Sequence, residues 1–306
     1  MSRIVTLTFE PAVDMTTSTP RVVPTDKLRC TKPRRDPGGG GINVARVVTE
    51  LGGAALAVFP AGGPTGQLLV EMLEQRGVQC RPIAMREGTR RNITVDATDS
   101  GEQFRFVMPA PVLSDGEAGA LVQAARDALA PHDWLVLGGG IPTAHQALLG
   151  PLLERAKQLE VRVVADTSGA ALDAIRGVWL TKPNLLELET LAGRSLTGDD
   201  AIASAARAWL IEPGISDLVV VSLAEDGALL VTADRHRRFA APRVKADSAV
   251  GAGDSMVAGI VLASQRGMGI DDAVHFGTVV GSAALLTPAT ELVHRADVDR
   301  LLAAGA

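Results

Sequence analysis

The octapeptide Ser248–Ser255, SAVGAGDS, places an aspartate directly behind three residues with almost no side chain. Gly251, Ala252 and Gly253 leave their backbone N–H groups open to close approach by an anion. The run SMVAGIVLAS that follows has the apolar spacing of a buried helix, predicted near residues 254–267. The glycines would then lie at a helix N-terminus, where unpaired N–H groups and the macrodipole favour negative charge. At rest, Asp254 would only repel a phosphate bound there. As a base that takes the proton from a hydroxyl attacking that phosphate, it has a purpose. The chemistry suggested is phosphoryl transfer; the structural alternative is a tight turn with an N-cap.

A second glycine run, Gly38–Gly41, leads into a helix predicted from about Ile42, with Ile42, Ala45, Val47 or Val48 and Leu51 on its inner face and Gly52 closing it. Asn43 is then a polar handle one turn inside the helix. A dinucleotide fingerprint would put Gly at 43 and an acid about twenty residues on, where the chain reads VFPAGG, which argues against a Rossmann dehydrogenase. Basic residues fall in two clusters, Lys27, Arg29, Lys32, Arg34 and Arg35, and Arg86, Arg90, Arg91 and Arg105. Each is either a solvated face or part of a set converging on a phosphorylated ligand.

The elements that must hold these residues read as α/β. Predicted strands at 4–9, 54–60, 134–140, 161–166, 178–181, 217–223, 227–232 and 237–242 are apolar runs suited to a sheet covered on both faces. Helices are predicted at 65–77, up to about Ala130 behind a Ser114/Glu117 capping box, at 143–159, from the KPN turn to 193, and at 271–286. Asp14 should lie in a loop at the carboxyl end of the first strand, where α/β sheets bind ligands. Residues 89–108 alternate about DSGE and predict a hairpin; with 15–35 they would form a small sheet outside the main one. With 306 residues and 46% hydrophobic content the chain can bury a large core, and a net charge of −5 argues against general affinity for nucleic acid or anionic membrane. No apolar run is long enough to span a bilayer, and Cys30 and Cys80 are too few for a disulfide framework, so a cytoplasmic location is expected. The five histidines show no metal-ligand spacing, and Trp134, Trp179 and Trp209 read as packing anchors.

VGAGDSM at 250–256 and PGGGGINVAR at 37–46, supported by DKLRC, FPAGG, SGEQFRFVMP and KPN, resemble the PfkB/ribokinase family of carbohydrate kinases. The resemblance covers the whole chain and implies a single ribokinase-like domain, 1–306: a three-layer α/β/α body with a mainly parallel sheet, plus a small β lid from about 15–35 and 88–108. It implies Asp254 as catalytic base, with the backbone of Gly251, Ala252 and Gly253 as anion hole. Asp14, Gly39, Gly40 and Asn43 would hold the sugar, and Lys27, Arg90 and Arg105 its existing phosphate. Lys182, Asn184, Ser222 and Gly227 would contact nucleotide, Glu187 would serve Mg2+, and Ser248 and Val250 would lie at a K+ site.

The activity implied is ATP-dependent conversion of fructose 6-phosphate to fructose 1,6-bisphosphate by a homodimer joined through the lid. Alternatives are a kinase for fructose 1-phosphate or tagatose 6-phosphate and, in a different class, a non-catalytic sugar-phosphate sensor. The chain departs from the family pattern at Gly140, where a substrate-touching Ser is usual, at Ala224 in place of Gly, and at Thr287, Ala289 and Glu291. Asp166 reads as a cap for the helix after DTSG rather than as a functional group.

Overall fold

The computed structural model describes residues 2–305, except Ser168, Asp247, Ala249 and the side chain of Ala170. In chain order the strands are β1 (Ile4–Leu7), β2 (Ala12–Thr19), β3 (Arg34–Gly38), β4 (Ala55–Ala61), β5 (Gln79–Ala84), β6 (Arg90–Ala97) and β7 (Glu102–Phe106). They continue as β8 (Trp134–Gly138), β9 (Arg162–Asp166), β10 (Val178–Thr181), β11 (Ser216–Ser222), β12 (Ala228–Val231) and β13 (His236–Phe239). The helices are α1 (Gly40–Glu50), α2 (Gly63–Glu74), α3 (Asp115–Ala128), α4 (Leu149–Gln158), the short α5 (Ala170–Asp173), α6 (Leu185–Ala192), α7 (Asp199–Ala206), α8 (Ala252–Gln265), α9 (Ile270–Ala284) and α10 (Arg295–Ala303).

Nine strands form the main sheet in the order β13-β12-β11-β10-β9-β8-β1-β4-β5. All pairs from β11 to β5 are parallel, while β12 and β13 close one edge antiparallel. Successive side chains of a strand point to opposite faces. Ile4, Val136, Val164, Leu180 and Val220 accordingly pack on one face with Ile42 of α1, Val257 and Ile260 of α8 and Val280 of α9. Val5, Leu7, Leu135 and Leu137 pack on the other with Leu121 of α3 and Leu149 and Leu152 of α4. Burial on both faces is why these strands read as unbroken apolar runs. Each such side chain contributes about 1.5–3 kcal/mol of transfer free energy.

The remaining four strands make a separate sheet, β3-β2-β6-β7, with β2 and β6 parallel and the outer pairs antiparallel. β6 and β7 are half-buried to exposed along nearly their whole length.

The three-layer body, the small sheet and the Ser114/Glu117 capping box agree with the sequence reading, and the structure adds a second capping box, Asn184/Glu187. Several details differ. Asp14 stands within β2, not in a loop, because the chain turns at 8–10 and at once begins the small sheet. β5 carries no alternation and has Pro82 inside it, tolerable because β5 is an edge strand. The 143–159 helix is a 3-10 stretch, Thr143–Leu148, followed by α4. Trp209 is half-exposed in the single π turn after α7, whereas Trp134 and Trp179 pack edge to face at 5.0 Å. Among the described residues no helix is long and apolar enough to cross a membrane.

Candidate active site

α8 begins at Ala252, two residues earlier than the sequence suggested, which puts Asp254 in its first turn. Gly251 is the N-cap, with φ 78°, and Leu292 fills the space a side chain there would need. No side chain caps this end, and the first intrahelical bond runs from Ser255 N to Gly251 O at 2.9 Å. The N–H groups of Ala252, Gly253 and Asp254 therefore have no acceptor within the helix. Ala249, part of the same stretch, lies outside the described residues.

The Asp254 carboxylate accepts from Asn43 Nδ2 at 2.8 Å, joining the first turn of α8 to that of α1. Burial pushes its pKa up to about 7; Asp166 adds to the shift, and Asn43, Lys182 and Arg46 oppose it. The residue is half-buried at the crevice floor, so water tempers the desolvation without removing it. An acid poised near neutrality is matched to accepting a proton from a hydroxyl.

Lys182 leaves the end of β10 and is 5% exposed. Its Nζ lies 3.2 Å from Asp166 Oδ1, at the end of β9, and a Cβ on Gly253 would come within 3.3 Å of the same nitrogen. Burial works to lower the Lys182 pKa, but Asp166, Asp254 and Glu187 outweigh it and the net shift is upward. A permanent cation thus faces the anion-attracting start of α8. Nothing local in the sequence marks Asp166 as a partner of Lys182, and only the registry of β9 with β10 brings the two together.

Asn184 and Glu187 are bound to each other, Glu187 N to Asn184 Oδ1 and Asn184 N to Glu187 Oε2, both at 2.8 Å. Asn184 also bridges to Ser222, so Lys182, Asn184, Glu187 and Ser222 share the carboxyl ends of β10 and β11. Gly227 (φ 87°) packs so tightly on the Phe239 carbonyl that no side chain fits, and Ala224 in the same turn is held at φ 51°. Ser248 is buried, and its Oγ accepts from Val250 N at 3.3 Å, directly before Gly251.

On the opposite wall Gly39, at φ 118°, is the N-cap of α1, and a Cβ on Gly40 would meet Gly139 N at 2.6 Å. Asp14 Oδ1 accepts from Asn92 Nδ2 at 2.8 Å. Desolvation raises its pKa; Asn92, Arg46 and Arg90 offset part of that. Arg90 donates to Met108 O and Glu10 O, at 3.0 and 3.2 Å, with the Glu10 carboxylate 3.7 Å away. Glu10 also faces Gly140: a Cβ there would lie 2.8 Å from its Oε2, so the side chain missing at 140 is replaced by a carboxylate from the β1–β2 turn.

Lys27 and Arg105 lie exposed on the small sheet and its connecting loop, without an ion pair among the described residues. Arg34 and Arg91, one from each basic cluster, are engaged within the protein, Arg34 with Asp36 and Glu291 and Arg91 with Thr65. Asn92, Glu10 and Arg46 were missed; of these Arg46 had a visible signal, standing three residues after Asn43 on one helix face.

Residues 11–294 match the pfkB family carbohydrate kinase model. The chain is 42% identical over 300 residues to the ATP-dependent 6-phosphofructokinase isozyme 2 of Mycobacterium tuberculosis, covering 97% of this chain and 88% of that protein. Crystal structures of phosphofructokinase-2 from Escherichia coli, in complex with potassium and with fructose 6-phosphate, superpose with TM-scores of 0.92 and 0.91 at 40% and 39% identity, each covering 99% of both chains. With a family match spanning nearly the whole chain and glycine-loop and GAGD residues meeting across one crevice, the protein belongs to the pfkB family of carbohydrate kinases.

Proposed function

We propose that the protein is an ATP-dependent kinase that converts fructose 6-phosphate to fructose 1,6-bisphosphate, acting as one domain, 1–306, with the small sheet as its lid. The observation that carries this reading is Asp254, held by Asn43 in the first turn of α8, beside free N–H groups and the buried Lys182. Asp254 takes the proton of the attacking sugar hydroxyl as its oxygen bonds to the terminal phosphorus of ATP and the bond to the ADP oxygen breaks. The backbone of Gly251, Ala252 and Gly253 forms the turn from which the helix N–H groups receive the charge on the moving phosphoryl. Lys182 Nζ stays fixed by Asp166 and offsets the phosphate charge.

Asp14, Gly39, Gly40 and Asn43 orient the sugar, and Lys27, Arg90 and Arg105 hold its existing phosphate. Asn184, Ser222 and Gly227 shape the nucleotide side. Among the described residues no cluster of three metal-ligating side chains occurs. That suits Mg2+, which usually keeps several waters and binds through one or two carboxylates together with nucleotide phosphates; Glu187 is the residue to hold it. When bound with the nucleotide, it neutralises phosphate charge. K+ would sit beside Ser248 and Val250, a reading supported by the potassium complex of the Escherichia coli relative. Exposed Leu28, Phe106, Val107 and Met108 on the lid support a homodimer through that sheet. ATP and sugar phosphates as substrates favour the cytoplasm.

The test is ADP release with Mg-ATP and fructose 6-phosphate, fructose 1-phosphate, tagatose 6-phosphate, fructose or ribose, with Asp254→Asn alongside. Turnover of fructose 6-phosphate is expected to lead the panel and to fall at least about 10²-fold in the variant. A lead for another ketose phosphate would rename the substrate, and binding without ADP release would replace the kinase by a sensor.

A further inference from the structure

Behind the Asn43–Asp254 bond lies a second contact. Arg46, on α1 three residues beyond Asn43, is 6% exposed and donates through Nη1 to Asn43 Oδ1 at 3.2 Å and to Pro37 O at 2.6 Å. Its Nη2 donates to Thr290 O at 3.0 Å and Glu291 O at 3.2 Å, with Asp36 Oδ1 at 4.0 Å. One guanidinium thus ties together β3 of the small sheet, the turn before α10 and the amide that holds Asp254.

A guanidinium only donates, and an amide has one accepting and one donating end. With Arg46 on one side, the atom of Asn43 that faces it must be Oδ1, so Nδ2 must face Asp254. Without Arg46 the amide could turn over and set an acceptor against the carboxylate. Resting on the kinase reading above, we propose that Arg46 is a positioning residue for phosphoryl transfer, which fixes the Asn43 amide so that Nδ2 aims the Asp254 carboxylate.

The charges around the assembly agree. Burial pulls the Arg46 pKa down to about 10, with Asp36 and Asp14 acting upward and Arg76 and Arg34 downward, so Arg46 stays cationic at neutral pH. Facing Asp254 are Asp166 from β9, Lys182 from the end of β10, and Asn43 and Arg46 from α1. Both the Asn43 bond and the Arg46 charge favour the ionised carboxylate, so loss of Arg46 must move its titration upward.

The experiment compares full-length wild type, Arg46→Met, Arg46→Lys, Asn43→Ala and Arg46→Met/Asn43→Ala in kcat, KM and the pH profile of kcat/KM. Arg46→Met is expected to lose about tenfold in kcat, part of what a general base is worth, with little change in KM for ATP. Its acid limb should move to higher pH, and Arg46→Lys, which restores the charge, should move it part of the way back. In the Asn43→Ala background the same substitution should cost little more, because the two residues act as one unit.

An unmoved acid limb, or losses that simply add in the double variant, would overturn the proposal. If Arg46→Met does not fold, Arg46→Lys decides: wild-type kcat and acid limb in that variant would equally overturn it. Should the wild type fail to phosphorylate fructose 6-phosphate, the kinase assignment fails separately. A 13C titration of the Asp254 carboxyl, assigned through Asp254→Asn, then tests Arg46 without turnover, with an upward shift in the Arg46 variant expected and no shift overturning the proposal.

Discussion

The two walls of the crevice are built on opposite principles. The wall from the main sheet holds Lys182 and Ser248 buried and Asp254 half-buried, each group already partnered by Asp166, Val250 or Asn43. The wall from the small sheet leaves Lys27, on the loop between β2 and β3, and Arg105, on β7, exposed and unpaired among the described residues. Preorganised groups need no reorganisation as charge develops, which suits the end where phosphoryl moves. Exposed basic side chains on a thin sheet suit an end that must admit and release a charged sugar. On the proposed function, chemistry and capture are thereby separated in the molecule.

Lys182→Met should show the contrast most strongly. The substitution takes away the ammonium paired with Asp166 beside Asp254, and breaking a buried pair costs about 3–5 kcal/mol. Chemical denaturation at pH 8 measures it, and the loss should shrink as the pH falls and Asp254 protonates. A cost below about 1 kcal/mol, the range of exposed pairs, would mean that this wall is as pliable as the lid. Lys27→Ala and Arg105→Ala should behave in the opposite way. Neither should alter the thermal midpoint, and each should raise KM for the sugar phosphate about tenfold, a loss of roughly 1.4 kcal/mol, while kcat holds. The effect should fade as salt screens these exposed charges. A fall in kcat with KM intact would move them to the chemical wall.

Asp254 sharpens the comparison through pH. Its folded pKa, about 7, stands above the ordinary 3.8, so the folded state binds the proton more tightly than the unfolded chain does. The stability this group contributes is present in full below about pH 4 and is lost as the pH rises through 7. Activity runs the other way, since only the ionised carboxylate accepts a proton, so kcat/KM should rise through an acid limb near 7. Asp254→Asn should therefore leave the apoprotein at least as stable as wild type at pH 8 while removing the activity. An apoprotein much less stable at that pH would show that the charged carboxylate is held by more than it costs to bury.

The chemical residues of the main-sheet wall were legible because they sit in local motifs, where glycine spacing and the start of an apolar helix carry the information within ten residues. Their partners were not. Asp166 reaches Lys182 through strand registry, and Glu10 meets Gly140 because β1 and β8 are neighbours, relations that no local spacing encodes. Asp14 was expected in a loop and stands in a strand, since that strand belongs to a sheet formed with residues nearly eighty positions away. The small sheet was read from alternation, yet the loop from 20 to 33 that joins two of its strands has no periodicity to read.

Two of the departures in sequence, Ala224 and Ala289, stand at positive φ, and of these Ala224 bears on the proposed nucleotide side. It holds φ 51° in the turn that leads to Gly227, in a left-handed region where an L side chain is strained by about 1–2 kcal/mol. Ala224→Gly removes that strain but frees the unfolded chain, which takes back roughly 0.4–1 kcal/mol. A small net gain in stability is expected, together with unchanged KM for the sugar, because the turn belongs to the nucleotide side. If KM for ATP falls as well, the Cβ had been crowding the phosphates, and the main-sheet wall is less finished than its buried charges suggest. A loss of stability would instead mean that the exposed Ala224 turn is held by contacts that outweigh its strain.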